Sequence, residues 1–146
     1  MIESSNGTLR IMDVSHEDTG TYLCSVKATN LSITAHLDVL SKTRIVTPRH
    51  DHRTLRGTLL VWPCSYKVDP RLPMPLIQWR KDGKKIQPIA PDNKYTILEN
   101  GSLMISHILA EDAGNYTCEV ITTLDSDVIT GSLTVIGENL SASYSK

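Results

Sequence analysis

Apolar and polar residues alternate along most of this chain, and a period of two residues is typical of β-strands with one buried face. Between residues 6 and 40 the alternation predicts three strands, separated by glycine, asparagine and aspartate residues that form turns. The fold class predicted from this pattern is all-β. The inward positions of the three strands are Leu9 and Ile11, then Tyr22, Cys24 and Val26, then Ala35, Leu37 and Val39.

The same alternation continues from residue 43 to residue 136 and predicts a longer series of strands. We expect an edge strand before Pro48 and a tight Asp82-Gly83 turn between two later strands. The basic run 49–56 is interpreted as a solvated edge. The predicted inward positions are Leu60, Trp62, Cys64, Ile77, Trp79, Leu103, Ile105, Tyr116, Cys118, Val120, Leu133 and Val135.

One motif occurs twice in this pattern of strands. The segment 112–118 reads Asp-Ala-Gly-Asn-Tyr-Thr-Cys, and the segment 18–24 reads Asp-Thr-Gly-Thr-Tyr-Leu-Cys. Each copy follows a strand-like run that begins with glycine. The second copy is preceded by Cys64 and Trp79, whereas no cysteine precedes the first copy.

The order Cys, Trp, then Asp-x-Gly-x-Tyr-x-Cys resembles the framework of an immunoglobulin-like β-sandwich of the I-set type. The resemblance implies a disulfide between Cys64 and Cys118 on facing sheets, with Trp79 packed against it. It also implies that the Tyr116 hydroxyl bonds backbone near Asp112. The remaining expectations are that Gly114 permits a tight chain reversal and that Asp112 pairs with Lys94.

The two copies differ in what surrounds them, and this predicts the domain organisation. Residues 1–41 are interpreted as the C-terminal half of one immunoglobulin-like domain, with strands E, F and G, in which Cys24 is unpaired. Residues 42–136 are interpreted as a complete domain, and residues 137–146 as a polar linker or the start of another module. Half a sandwich leaves one inner face bare, so we expect residues 1–41 to be weakly stable alone.

Charge and composition exclude several functions. The net charge is −1 over 146 residues, without the concentrated basic stripe of a nucleic-acid-binding surface. The three cysteines form no Cys-x-x-Cys pair, and His50 with His52 lacks a third ligand, so no metal is expected. We also find no nucleophile in a recognisable turn and no phosphate loop. The sequence therefore predicts no enzyme, no cofactor and no small-molecule substrate.

Glycosylation motifs indicate the compartment. Five of the six asparagines stand in Asn-x-Ser/Thr sequences: Asn6, Asn30, Asn100, Asn115 and Asn139. The chain contains no apolar run of about 20 residues and no signal-peptide pattern at its N-terminus. We therefore expect a glycosylated, extracellular piece of a larger cell-surface protein, which meets the membrane only through other parts of the parent chain.

Four further motifs narrow the resemblance. They are Thr-Arg-Ile at 43–45, Cys-x₄-Asp-Pro at 64–70, Trp-x-Lys-Asp-Gly at 79–83 and Thr-Thr-Leu-Asp-Ser at 122–126. Together they resemble the last immunoglobulin domain before the fibronectin type III repeats in the neuroglian/neurofascin, contactin and sidekick families. That resemblance implies a neuronal adhesion or recognition module, or a stalk, which binds a homophilic or heterophilic protein partner.

Two other functions stay open at this stage. One is the ligand-binding ectodomain of a receptor tyrosine kinase or phosphatase. The other is an intracellular spacer of the muscle type. If the chain has a binding surface, the proline-rich loop 69–75 and the outward strand faces near Arg80 are the expected locations.

Overall fold

The computed structural model describes residues 2–5, 7–88 and 94–137. The chain divides into two compact units, Met1–Ser41 and Lys42–Lys146.

Unit 1 consists of two β-hairpins and a short 3₁₀ turn. Strands β1 (Ile2–Ser5) and β2 (Thr8–Ile11) pair antiparallel, as do β3 (Gly20–Ser25) and β4 (Ser32–Leu37). The turn His16–Asp18 separates the hairpins. The sequence did not predict β1, because Ile-Glu-Ser-Ser contains one large apolar residue and therefore no alternation.

Unit 1 has few buried positions. Tyr22 and Leu37 are partly buried, but Leu23 is 65% exposed and Ile33 is 71% exposed. A concavity of about 750 Å³ is lined by residues from β2, β3 and β4. Two hairpins thus form local hydrogen bonds without enclosing a core.

Unit 2 contains ten strands and the 3₁₀ turn Ala110–Asp112 in its described part. One sheet has the order β10-β9-β13-β14-β6, a second has the order β11-β12-β7, and β5 pairs with β8. All pairs are antiparallel except β14 with β6. The strands are β5 (Arg44–Ile45), β6 (His52–Leu55), β7 (Leu60–Trp62), β8 (Tyr66–Lys67), β9 (Leu76–Lys81), β10 (Lys84–Lys85), β11 (Tyr95–Ile97), β12 (Leu103–Ile105), β13 (Gly114–Ile121) and β14 (Ser126–Ile136).

The turn between β9 and β10 shows how local sequence sets register. Asp82 and Gly83 have φ values of 49° and 84°, which is the positive-φ pair that a two-residue type I′ hairpin requires. Lys81 consequently lies opposite Lys84. The Asp-Gly prediction agrees with this geometry.

The basic run 49–56 is more than the solvated edge that the sequence suggested. Its residues 52–55 form β6, which runs parallel to residues 133–136 of β14. The charged side chains Arg49, Asp51 and Arg53 are exposed, whereas His52 is partly buried. The run of charged residues gave no alternation that would predict a strand. The partner strand also lies some 80 residues later in the chain, so no local hairpin signal was present.

The core of unit 2 lies between the two main sheets. Leu103, Ile105, Tyr116 and Val120 are fully buried at the predicted inward positions. Ile86 and Ile108 also belong to the core, although they lie outside the described strands and gave no alternation signal. Trp62 is 5% exposed, and its ring centroid lies 5.2 Å from that of Tyr116.

Candidate functional site

A disulfide joins the two sheets of unit 2. Cys64 follows β7, Cys118 lies within β13, and their Cα atoms are 6.5 Å apart. Closing a loop with a sequence separation of 54 stabilises the fold by about 4 kcal/mol in the chain-entropy estimate. Trp79 lies opposite Cys118 on the neighbouring strand, and its indole Nε1 donates to the Gly101 carbonyl at 2.8 Å.

The Asp112 carboxylate organises the chain before β13. It accepts a hydrogen bond from the Leu109 amide at 2.7 Å and forms an ion pair with Lys94 Nζ at 2.6 Å. The Tyr116 hydroxyl donates to the Asp112 carbonyl at 2.6 Å. Burial raises the pKa of Tyr116 well above its usual range, with a smaller contribution from the neighbouring Tyr95 hydroxyl. This hydroxyl therefore remains a neutral donor.

Gly114 allows the side chain of Asp82 to lie close to the backbone of β13. A Cβ on this residue would lie 2.6 Å from the Asp82 Oδ2 atom. Asp82 occupies that space because its carboxylate accepts from the Asn115 amide, while its own amide donates to the Asn115 carbonyl. The sequence analysis assigned Gly114 to a tight chain reversal. In the structure, a side chain at this position would collide with Asp82 in the β9–β10 turn.

The first copy of the motif forms similar local contacts in unit 1. The Tyr22 hydroxyl donates to the Asp18 carbonyl at 2.6 Å, and the Ser15 amide donates to the Asp18 carboxylate at 2.9 Å. Asp18 is partly buried, whereas Asp112 is 3% exposed. Cys24 is a free and exposed thiol.

Three of the predicted glycosylation motifs fall within the described residues, and all three asparagines are exposed. Asn30 lies between β3 and β4. Asn100 lies in the turn before β12, where its Oδ1 accepts from the Ser102 amide at 3.0 Å. Asn115 lies on β13. Asn6 and Asn139 lie outside the described residues.

Two of the recognised motifs meet in space. The Asp125 carboxylate accepts from the Thr43 amide, the Thr43 hydroxyl and the Thr122 hydroxyl. These bonds, led by the Thr43 hydroxyl, lower the pKa of Asp125. Asp127 adds a bond from the Ile45 amide at 2.8 Å. The segment 122–127 therefore fixes the position of the first strand of unit 2.

A second carboxylate fixes the proline-rich loop 69–75. Asp69 is 4% exposed, and Arg71 binds it through both Nε and Nη2, at 3.0 and 2.9 Å. The Arg71 amide also donates to the same carboxylate. With three prolines in seven residues, this loop is pre-organised. Met74 projects from it and is 88% exposed.

The outer face of the five-stranded sheet changes character along its strands. At one end, Leu76 lies opposite Ile121, and Val128 lies diagonally beside them on β14. Leu76 is 59% exposed and Val128 is 54% exposed. We call Leu76, Ile121 and Val128, with Met74 and Leu124 beside them, the apolar end of the face.

Polar side chains follow the apolar end along β9 and β13. Next to the apolar end, Arg80 Nη1 pairs with Glu119 Oε1 at 2.7 Å. Further along, Thr117 and Thr130 are hydrogen bonded to each other at 2.8 Å. Asn115 follows at the far end of β13, opposite Ser132. Along β13 the face thus runs from apolar to polar and ends at a glycosylation motif, while Leu55 on the edge strand β6 is a separate exposed apolar residue, 58% exposed.

The described residues contain no group of three or more His, Cys, Asp or Glu side chains arranged to hold a metal ion. Among the same residues, no helix is long and apolar enough to cross a membrane.

Residues 44–135 match the family model of the immunoglobulin I-set domain. The chain belongs to the immunoglobulin I-set family. It is 45% identical over 133 residues to neural cell adhesion molecule L1.1 of Danio rerio, a match that covers 91% of this chain and 11% of the relative. It is 35% identical over 147 residues to protein sidekick-1 of Mus musculus, covering 96% of this chain and 7% of the relative.

A solved structure shows the same architecture. Extracellular domains 3–5 of Drosophila OTK align with a TM-score of 0.75 and 27% identity, covering 93% of this I-set chain and 46% of that chain. The all-β fold and the resemblance to the adhesion families are therefore confirmed. The chain spans about a tenth of the length of the curated relatives that it matches.

Proposed function

We propose that this I-set chain is a non-catalytic protein-binding module of a cell-surface adhesion protein. The observation that carries the proposal is the exposed apolar end of the outer face, because contiguous apolar surface on a soluble domain marks interaction sites. The names of the relatives, neural cell adhesion molecule and sidekick, support the adhesive role.

The composition of the face fits a protein partner. An apolar centre at Leu76, Ile121 and Val128 with a polar border at Arg80 and Glu119 has the arrangement of a protein–protein interface. The loop that carries Met74 is held by Arg71 and Asp69, so little ordering entropy would be lost on binding.

The glycosylation motif on this face supports the same location. Asn115 is six residues from Ile121 along β13, which corresponds to about 20 Å at the usual rise of a strand. A glycan on Asn115 would cover the polar end and leave the apolar end accessible. We propose that Asn30, Asn100 and Asn115 carry glycans, and that Asn6 and Asn139 are further acceptors.

The partner is a protein on an opposed surface, either a second copy of the parent protein or a different receptor. A single contact through this face would be weak. Many copies of the protein on two opposed membranes would raise the overall avidity of binding. The parent is membrane-anchored and extracellular in this proposal. Residues 1–41 would be the C-terminal half of a domain, 42–136 a complete domain, and 137–146 a connection to the next module.

A surface-charge experiment tests the binding face. The double substitution Leu76→Asp and Val128→Asp in the parent ectodomain should abolish aggregation of beads coated with that ectodomain, or its binding to partner-expressing cells. Val61→Asp is a matched control, because Val61 is 44% exposed on a strand of the other sheet. Equal binding by the double variant and wild type would exclude this face.

The receptor ectodomain and the muscle-type spacer are the alternative functions. Non-reducing mass spectrometry of the native protein, with and without glycosidase, separates the spacer from both surface proteins. A bonded Cys64–Cys118 pair and glycan mass on the described asparagines are expected. Free thiols and unmodified asparagines would favour the intracellular spacer. A kinase or phosphatase domain in the parent chain would favour the receptor.

A further inference from the structure

His52 lies at the rim of the core of unit 2, on the edge strand β6. Its ring centroid is 4.3 Å from that of His50 and 4.4 Å from that of Trp62, and both ring pairs are close to perpendicular. Trp62 in turn packs against Tyr116. The His52 ring therefore joins the edge strand to the aromatic part of the core.

The surroundings of His52 suit only a neutral imidazole. Its Nε2 atom is sealed from solvent, and none of the described atoms forms a hydrogen bond with it. A proton on that nitrogen would create a buried donor and a positive charge without an acceptor, which is costly. In the neutral ring only the hydrogen bond of Nε2 is missing, and the contacts with His50 and Trp62 are kept.

The neighbouring Asp51 carboxylate favours the charged ring, but its effect on the pKa of His52 is smaller than the opposing effects of burial and of His50. Asp51 is adjacent in sequence, but its carboxylate accepts from the Ser132 amide and pairs with Arg49. The other ionisable side chains within two residues of His52 are His50, which lowers the pKa of His52, and Arg53, which is exposed on β6. Trp62 of β7 contacts the ring, Leu133 of β14 lies opposite His52, and Tyr116 of β13 packs on Trp62 with its hydroxyl donating to the Asp112 carbonyl. None of these three side chains is charged.

We propose that β6 is an acid-released edge strand, which detaches from β14 when His52 is protonated while the rest of the sandwich stays folded. The release is local because β6 pairs with β14 through only four residues and, among the described strands, has no second neighbour in its sheet. The disulfide and the eight-residue pairing of β13 with β14 hold the remaining strands.

The direction of the pH effect follows from the same surroundings. Burial, and secondarily His50, lower the pKa of His52 below its usual value. The pKa of His52 is lower in the folded state than in the unfolded chain. The contribution of the neutral His52 ring to the stability of the β6–β14 pairing is therefore complete above about pH 6.5 and is lost as the pH falls below that value. A cell-surface protein meets such acidity in endosomal compartments. Release of β6 would expose an unpaired edge of β14 there.

Amide hydrogen exchange on the full 146-residue chain tests the proposal. The reporter is the Arg56 amide, which donates to the Ile136 carbonyl at 3.2 Å across the β6–β14 pair. Its protection factor should fall between pH 7.5 and pH 5.5, with a midpoint equal to that of the His52 ring protons in NMR. Protection factors, rather than raw rates, are compared because intrinsic exchange also changes with pH. The amides of β13 should keep their protection.

Variants assign the effect to His52. His52→Phe keeps an aromatic ring without a titrating group, and its Arg56 protection should not depend on pH in this range. His107→Asn is the matched control, since it removes a distant histidine at a positive φ that asparagine tolerates. The control should lose protection as wild type does. Wild-type protection that is equal at both pH values, or a loss that persists in His52→Phe, would overturn the proposal.

A second variant keeps the test decisive if the phenylalanine variant does not fold. His50→Gln removes the neighbouring positive charge from an exposed position. The midpoint for loss of Arg56 protection should then move to higher pH. An unchanged midpoint would contradict the proposal.

Discussion

The carboxylate of Asp125 holds Thr43 by two hydrogen bonds, one from the backbone amide at 2.9 Å and one from the hydroxyl at 2.6 Å. Thr43 is 2% exposed, so its two donors have little access to water. A turn between the last two strands thereby fixes the start of unit 2, 82 residues away in sequence.

Asp125→Ala should destabilise unit 2 by about 2 kcal/mol, because two buried donors of Thr43 would be left without an acceptor. The Thr43 amide should lose its protection from hydrogen exchange. Urea unfolding followed by tryptophan fluorescence reports on unit 2 alone, since Trp62 and Trp79 are the two tryptophans of the chain. Ser126→Ala, a change at an exposed neighbour, should alter stability by less than about 0.5 kcal/mol.

The same contact should weaken in acid. The pKa of Asp125 is lowered in the folded state by its bonds to Thr43 and Thr122. Its contribution to stability is therefore present above the unfolded pKa of about 4 and is lost as the pH falls through the lower folded value. The stability difference between wild type and Asp125→Ala should shrink between pH 5 and pH 2. A constant difference over that range would exclude an ionised Asp125 as the acceptor.

The repeated motif provides its own matched pair of substitutions. Asp112→Ala removes a buried acceptor of the Leu109 amide and the partner of Lys94, and should cost about 3 kcal/mol in unit 2. Asp18→Ala removes the corresponding bond of the Ser15 amide in unit 1, where Asp18 is only partly buried. Urea unfolding of unit 2 should not change in the second variant. Similar effects of both substitutions on tryptophan-detected unfolding would contradict this account.

The sequence predicted the parts of unit 2 whose signal is local. Alternation located the inward positions around Tyr116 and Leu103, and the Asp82-Gly83 pair specified a type I′ turn. The strand β6 escaped notice because its inward position is a histidine and its partner strand is distant in the chain. The contact of Asp125 with Thr43 also had no local signal, because the two residues are 82 positions apart and an isolated carboxylate does not reveal which distant donor it will meet.

Gly131 shows a further constraint that no pattern of polarity could reveal. A Cβ on this residue would overlap the His50 carbonyl oxygen and lie 2.9 Å from the Trp62 ring. Gly131→Ala should therefore displace the chain before β6 and destabilise unit 2 by about 2–3 kcal/mol. Ser126→Ala, at an exposed position at the start of β14, is the control and should remain within about 0.5 kcal/mol of wild type. Equal unfolding midpoints for the two variants would show that the segment around His50 can move without cost.

Unit 1 should be chemically and proteolytically more accessible than unit 2. The Cys24 thiol is exposed, and Leu23 and Ile33 beside it are more than half exposed, so this unit lacks the enclosed core of unit 2. Under native, non-reducing conditions one thiol per chain should react with an alkylating reagent, and three should react after reduction and unfolding. Limited proteolysis should cut within residues 1–41 well before unit 2. Equal protease protection of the two units would mean that another surface packs against the exposed face of unit 1 in solution. Sedimentation at several protein concentrations would then show whether that surface belongs to a second copy of the chain.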